Sequence, residues 1–300
     1  MPNASSSPRP ESPSRRRQLL AAGLGGAGLA ALSRAVQAAE PTNPAAAPAT
    51  PLTAGTPAAG HLLTQTAQTT EGPFYFDPGK VRQDITEGQP GVPLEVRFTV
   101  VDPHGKPLAG KRVDLWHCNA TGVYSGYAGQ SDERGHAVST RGQTFLRGSQ
   151  PVGADGVAMF RTIYPGWYAG RATHLHIKVL DGNRAMLTTQ CFLPDALSEY
   201  LYTQLAGYKR SRLRETLNSN DGIALMAGET TLGAVREAKD RYVATLTLVV
   251  GTAAAAPREP APGPMSDGGS PPPPPPGRGA HDAPSAGSAR AAAIVPGTRL

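Results

Sequence analysis

The chain has 300 residues, with 35 Gly, 30 Pro, 39% hydrophobic residues and a formal net charge of +6. Glycine, proline and alanine crowd into the two ends, whereas residues 60–252 carry 20 Lys and Arg against 18 Asp and Glu. A core this close to neutral, without a basic stripe interleaved with aromatics, excludes a nucleic-acid-binding reading.

Residues 1–39 read as an export segment. Arg16 and Arg17 precede Leu19 and Leu20, a weakly apolar Ala/Gly/Leu run follows, and "AVQAAE" offers small residues for cleavage near Ala38. The run is too short and glycine-rich to span a bilayer, so no stable membrane span is expected. The paired arginines resemble a twin-arginine signal, which predicts a periplasmic or secreted protein. Residues 40–68 read as a disordered Pro/Ala linker, and 252–300, with "SPPPPPPGRG", as a disordered Pro-rich tail. The folded domain is therefore expected over 69–251.

Within that domain, short apolar segments alternate with turn signals, predicting a mainly β fold: a β-sandwich core with a helical or loop excursion, flanked by disordered termini. Strands are expected at 92–102, 111–120, 156–165, 173–181, 185–193 and 241–251. "DGN" at 181–183 marks a hairpin. Helical spacing of Leu197, Leu201 and Leu205 predicts a helix within 195–217, with Asp195 as its cap. Cys118 and Cys191 fall in strand-like segments and are read as two buried thiols, although an exported protein could bridge them.

The chemistry concentrates in "GWYAGRATHLHIKVL" (166–180). Leu175, Ile177 and Val179 alternate as a buried face, and His174 and His176 occupy the other. Residues two apart on a strand share a face about 6.6 Å apart, so both rings can turn to one point. On its own this pair also suits a solvated strand face. The "PGWYAGR" loop can return Tyr168 over the strand, and "WHCNATGVYSGY" places Tyr124 and Tyr127 after another strand. Phenolate oxygen is a hard ligand that suits ferric iron better than zinc or copper(I). Two imidazoles, two phenolates and a hydroxide make a neutral Fe(III) centre, which a buried site tolerates. A rival set, His117 with His174 and His176, would hold zinc.

"TEGPFY" (70–75), "VDLWHCNATGVYSGY" (113–127), "FRTIYPGWYAGRATHLHIKV" (160–179) and "LTTQ" (187–190) together resemble the intradiol ring-cleavage dioxygenases of the catechol and protocatechuate type. The resemblance implies non-haem Fe(III) held by Tyr124, Tyr168, His174 and His176, with Tyr168 released when substrate binds. It implies that Arg171 stabilises charge on the reacting ring, that Gln190 orients it, and that Gly72, Pro73 and Phe74 line the substrate pocket. The expected reaction opens a catechol-type diol with O2 to a cis,cis-muconate-type dicarboxylic acid. A homo-oligomer is compatible with the sequence. Tyr127 and Tyr164 are read as packing residues. The missing helical N-terminal extension places the chain closer to the protocatechuate-type core. Only Ala169 and Gly170 separate Tyr168 from Arg171, which predicts a more open site. The competing non-enzymatic reading is a secreted transthyretin-like module, since "GKPLAGKRVDLW" resembles the hairpins of such domains.

Overall fold

The structure, a computed structural model, describes residues 62–132, 135–251 and 287–295. The export segment 1–39, linker residues 40–61 and most of the proline-rich tail lie outside them. The chain separates into Met1–Pro51, outside the described residues, and Leu52–Leu300, to which everything below belongs.

Alternating apolar residues build two four-stranded sheets. The first runs β6 (Val157–Ile163), β1 (Pro93–Val101), β10 (Tyr242–Val249) and β9 (Ala234–Glu237), with β1 and β10 parallel. The second runs β5 (Arg147–Pro151), β2 (Arg112–Trp116), β7 (His174–Asp181) and β8 (Arg184–Phe192). A small ribbon, β3 (Gln130–Ser131) with β4 (Ala137–Val138), projects from the β2–β5 connection. Val96, Phe98 and Val100 meet Leu115, Leu175, Ile177 and Val179 in the core between the large sheets. This is the expected β-sandwich. Gly182 and Asn183 form the β7–β8 hairpin turn. Cys118 and Cys191 are buried free thiols. No helix among the described residues is long and apolar enough to cross a membrane.

Three expectations are corrected. The helix over 195–217 is only α1 (Asp195–Gln204), because Leu205 turns extended and the chain continues irregularly to α2 (Gly222–Ala227). Asp195 does not cap α1: its carboxylate instead accepts from Arg214 Nη1 at 2.6 Å and from Asn218 N–H at 2.9 Å. Parts of both supposedly disordered flanks are ordered, residues 62–68 along the sandwich and α3 against α1. Leu63 N–H donates to Pro103 O at 2.8 Å, and Thr66 N–H to Val249 O at 3.0 Å, extending order N-terminal to residue 69. Residues Gly287–Ile294 form α3, whose Arg290 reaches Glu199 Oε2 at 2.8 Å. Its "ARAAA" run contains good helix formers.

Candidate metal centre

Register across three strands sets the floor of the site. Trp116 on β2 pairs with His176 on β7, and His176 pairs with Gln190 on β8, so the three stand in one row. Alternation sends Leu175, Ile177 and Val179 into the sandwich and leaves His174 and His176 together on the opposite face. The Trp116 ring stacks on His176 with centroids 4.9 Å apart and 12° between planes.

Two loops bring phenols over this floor. After β2, Asn119 Oδ1 accepts from the N–H groups of Thr121 and Val123, both at 3.0 Å, tightening the turn. The Gln130 amide then accepts from Tyr124 N–H at 2.7 Å and donates to Tyr124 O at 2.7 Å. Gly122, at φ 80°, lies so close to the Trp167 carbonyl that a side chain there would collide with it. The loops carrying Tyr124 and Tyr168 are therefore fixed against each other.

His174 Nε2 lies 3.1 Å from His176 Nε2 and 3.1 Å from Tyr168 Oη, which is 3.4 Å from Tyr124 Oη. His174 Nδ1 sits 2.7 Å from the Ala172 carbonyl oxygen. That contact assigns the ring proton to Nδ1 and leaves Nε2 a lone pair facing the other donors. Burial, reinforced by the nearby Arg171 cation, holds both imidazoles well below their usual range and therefore neutral. Burial also raises the phenols, Tyr168 to about 12 and Tyr124 well above its ordinary value. A highly charged cation reverses that preference by favouring phenolate. Two neutral imidazoles and two displaceable phenol protons converging in a buried space fit a hard, highly charged metal ion.

His117 does not join them. Its Nδ1 is 2.8 Å from the adjacent Cys118 O and its Nε2 2.7 Å from Thr162 Oγ1 on β6, so both nitrogens already have partners. Among the described residues no three His, Cys, Asp or Glu side chains form a metal-binding group. The three-histidine zinc reading is corrected accordingly. Tyr127 and Tyr164 also serve packing: Tyr127 Oη donates to Tyr75 O at 2.9 Å, and Tyr164 Oη lies 2.7 Å from Ser198 Oγ.

Arg171 is 4% exposed, and its Nη2 donates to Gln190 Oε1 at 2.5 Å. Gln190 Nε2 in turn donates to Thr70 O at 3.1 Å, tying this pair to the N-terminal segment. That segment crosses the site. A Cβ on Gly72, at φ 74°, would lie 3.3 Å from His176 Cε1, and Phe74 stacks on Tyr124 with centroids 4.5 Å apart. Pro73 is half-buried between them.

Several participants escaped the sequence reading. Lys178 ion-pairs with Glu71 and lies 3.7 Å above the Tyr75 ring, while Tyr75 Oη donates to Asp114 Oδ2 at 2.8 Å. These contacts anchor the crossing segment. A lysine two residues beyond His176, on the same strand face, was the available signal. Asp221 accepts from Arg171 Nε at 2.9 Å. Burial raises its carboxyl, but the Arg171 charge outweighs this and holds it below the usual range. Its placement depends on a contact 50 residues apart in sequence, which no local pattern announces.

The family model described as Dioxygenase matches residues 70–229, more than half of the chain and all the residues just described. The chain belongs to the intradiol ring-cleavage dioxygenase family. It is 32% identical over 151 residues to catechol 1,2-dioxygenase 1 of Acinetobacter lwoffii, covering 42% of this chain and 45% of that protein. It is 29% identical over 140 residues to catechol 1,2-dioxygenase of Acinetobacter baylyi, with the same coverage. The chain thus spans less than half the length of these relatives. The fold is shared with the intradiol ring-cleavage dioxygenase from Tetranychus urticae, at TM-score 0.56 and 24% identity, covering 63% of this chain and 95% of that one.

Proposed function

We propose that this dioxygenase-family chain is a non-haem Fe(III) enzyme that opens catechol-type diols between their hydroxyl carbons. Both atoms of O2 enter the product, a cis,cis-muconate-type dicarboxylic acid. The observation that carries this reading is the convergence of Tyr124 Oη, Tyr168 Oη, His174 Nε2 and His176 Nε2. These four would hold the ion. Ferric iron bound there would withdraw electron density from a chelated catecholate and so prepare the ring for O2.

The protein's own groups divide the remaining work. Tyr168 is half-buried at the end of a loop, whereas Tyr124 is sealed beneath Phe74, so Tyr168 is the phenol free to leave. Were it displaced from the ion as a phenolate, its oxygen would be placed to take a proton from an incoming diol hydroxyl. Arg171 offers a fixed positive charge for developing negative charge on the ring, and Gln190 holds that guanidinium in register. Gly72, Pro73 and Phe74 form the pocket's edge, with Gly72 leaving room beside His176.

Purified protein should be red-brown, contain about one iron per chain, and consume O2 in proportion to catechol. Tyr168→Phe should shift the tyrosinate-to-iron absorption band. A colourless protein with stoichiometric zinc would overturn the proposal. The export reading rests on residues outside the structure. N-terminal sequencing of the mature protein should find cleavage near Ala38, dependent on Arg16 and Arg17.

A further inference from the structure

We propose that Asp221 is a positioning residue that aims the Arg171 guanidinium at the metal centre, an inference that rests on the catalytic reading of Arg171. The Asp221 carboxylate is 2% exposed and every direction around it is used. Its Oδ2 accepts from Arg171 Nε at 2.9 Å and from Ala172 N–H at 2.8 Å. Its Oδ1 accepts from Ile223 N–H at 2.8 Å and Ala224 N–H at 3.1 Å, the opening turn of α2. The carboxylate therefore bolts the arginine to the excursion that closes this side of the site.

The geometry restricts Arg171 from two sides. Asp221 takes Nε and Gln190 takes Nη2, and an arginine held at both points keeps its planar fork in one orientation. Gln190 is neutral and cannot by itself balance a buried guanidinium, whereas Asp221 supplies the compensating charge. Asp221 touches none of the four donor atoms. Its main route to the reaction is Arg171; because the Ala172 backbone it also holds carries the carbonyl that fixes His174, iron content and the visible band are measured beside kcat to separate the two.

Asp221 also caps α2, so a test must separate aiming from folding. Asp221→Ser retains a capping oxygen for α2 but is too short to reach Arg171; Asp221→Asn preserves size and removes charge. Each is measured alone and combined with Arg171→Gln. The expected result is a kcat loss of ~100-fold for either Asp221 variant, as for other buried charge-assisted contacts. KM for catechol should stay within about threefold, because the metal still binds the diol. Iron content and the visible band should match wild type, and neither Asp221 variant should lower kcat further in the Arg171→Gln background. An equal kcat loss in both backgrounds, or an unchanged kcat beside Arg171, would overturn the proposal.

The metal-free protein provides a separate arm. The Arg171 Nε–H signal, assigned by its loss in Arg171→Gln, should be protected from hydrogen exchange in wild type and exposed in Asp221→Ser, whose hydroxyl is too short to reach it. Continued protection would overturn the positioning role whatever the chain's activity. Absence of ring cleavage by iron-loaded wild type would instead sink the catalytic reading, while this exchange measurement still decides whether Asp221 holds Arg171.

Discussion

The two large sheets each have four strands with alternating residues but treat their outward faces differently. On the β6-β1-β10-β9 sheet, Arg97, Thr245 and Thr247 stand exposed. On the β5-β2-β7-β8 sheet, the corresponding positions hold His174, His176, Lys178 and Gln190, all buried. The first sheet covers one face and leaves Arg97, Thr245 and Thr247 of the other to water, with Glu95 buried beneath its arginines. The second is covered twice, by its partner sheet on one side and on the other by the 70–76 segment, the tyrosine loops and the excursion. Buried polar groups are costly unless satisfied, and here each cover brings partners: Glu71 for Lys178, Thr70 for Gln190, Asp221 for Arg171. The doubly covered sheet is where chemistry can be held dry and in register.

The largest effects should separate the sheets by kind. His174→Ala, on the covered sheet, should abolish the coloured iron centre and lower ring cleavage by at least ~1,000-fold, since a lost ligand removes several kcal/mol of metal assistance. Metal analysis and oxygen uptake measure this. Phe98→Ala removes a fully buried ring that faces Phe160 at 6.4 Å. It should cost about 3–5 kcal/mol of stability, seen by urea unfolding, while the folded fraction keeps its iron and turnover per iron. Loss of iron from folded Phe98→Ala would show that the sheets are not independent.

His117, the residue that follows β2, joins the two layers through its bond to Thr162 on β6. Burial pulls its imidazolium down to about 4, against the hydrogen bond it makes to Cys118 O. Between pH 6.5 and 4 the unfolded chain therefore binds a proton there that the folded chain does not. Stability should fall as pH drops through this window, by on the order of a few kcal/mol in all. The pH dependence of urea unfolding should be shallower by one proton in His117→Gln; an unchanged slope would mean the ring protonates without unfolding.

Much of the covered sheet was readable because β alternation and residue chemistry coincide in it. His174 and His176 break an otherwise apolar pattern, and Tyr168, Arg171 and Gln190 lie within a few residues of strands the pattern also marks. What stayed hidden depends on distant pairing. Asp195 looks like a helix cap until Arg214 captures it, and Asp221 looks like a turn residue until Arg171 folds against it. Residues 62–68 and α3 carry flank-like compositions, and it is contacts with distant residues, among them Pro103, Val249, Thr189, Arg214 and Glu199, that give them order. Local propensity could not weigh those contacts.

The smallest expected effect lies on the solvated face of the first sheet. Glu95 accepts from Arg97 Nε at 2.6 Å and Arg241 Nε at 3.0 Å, but the arginine side chains are 48% and 39% exposed. Partial burial raises the Glu95 carboxyl, and the Arg97 hydrogen bond with the two arginine charges outweighs this and leaves it below the usual range. Its contribution is complete above the unfolded carboxyl range and disappears as pH falls through the lowered value. Water and salt screen such pairs, so Glu95→Gln should cost no more than about 1 kcal/mol, less at high salt, with catalysis unchanged. Lys178→Met makes the paired measurement on the covered sheet, where removing the buried partner of Glu71 should loosen the 70–76 segment and raise KM. If Glu95→Gln moved KM as far as Lys178→Met, the distinction between a solvated and a covered outer face would lose its functional meaning.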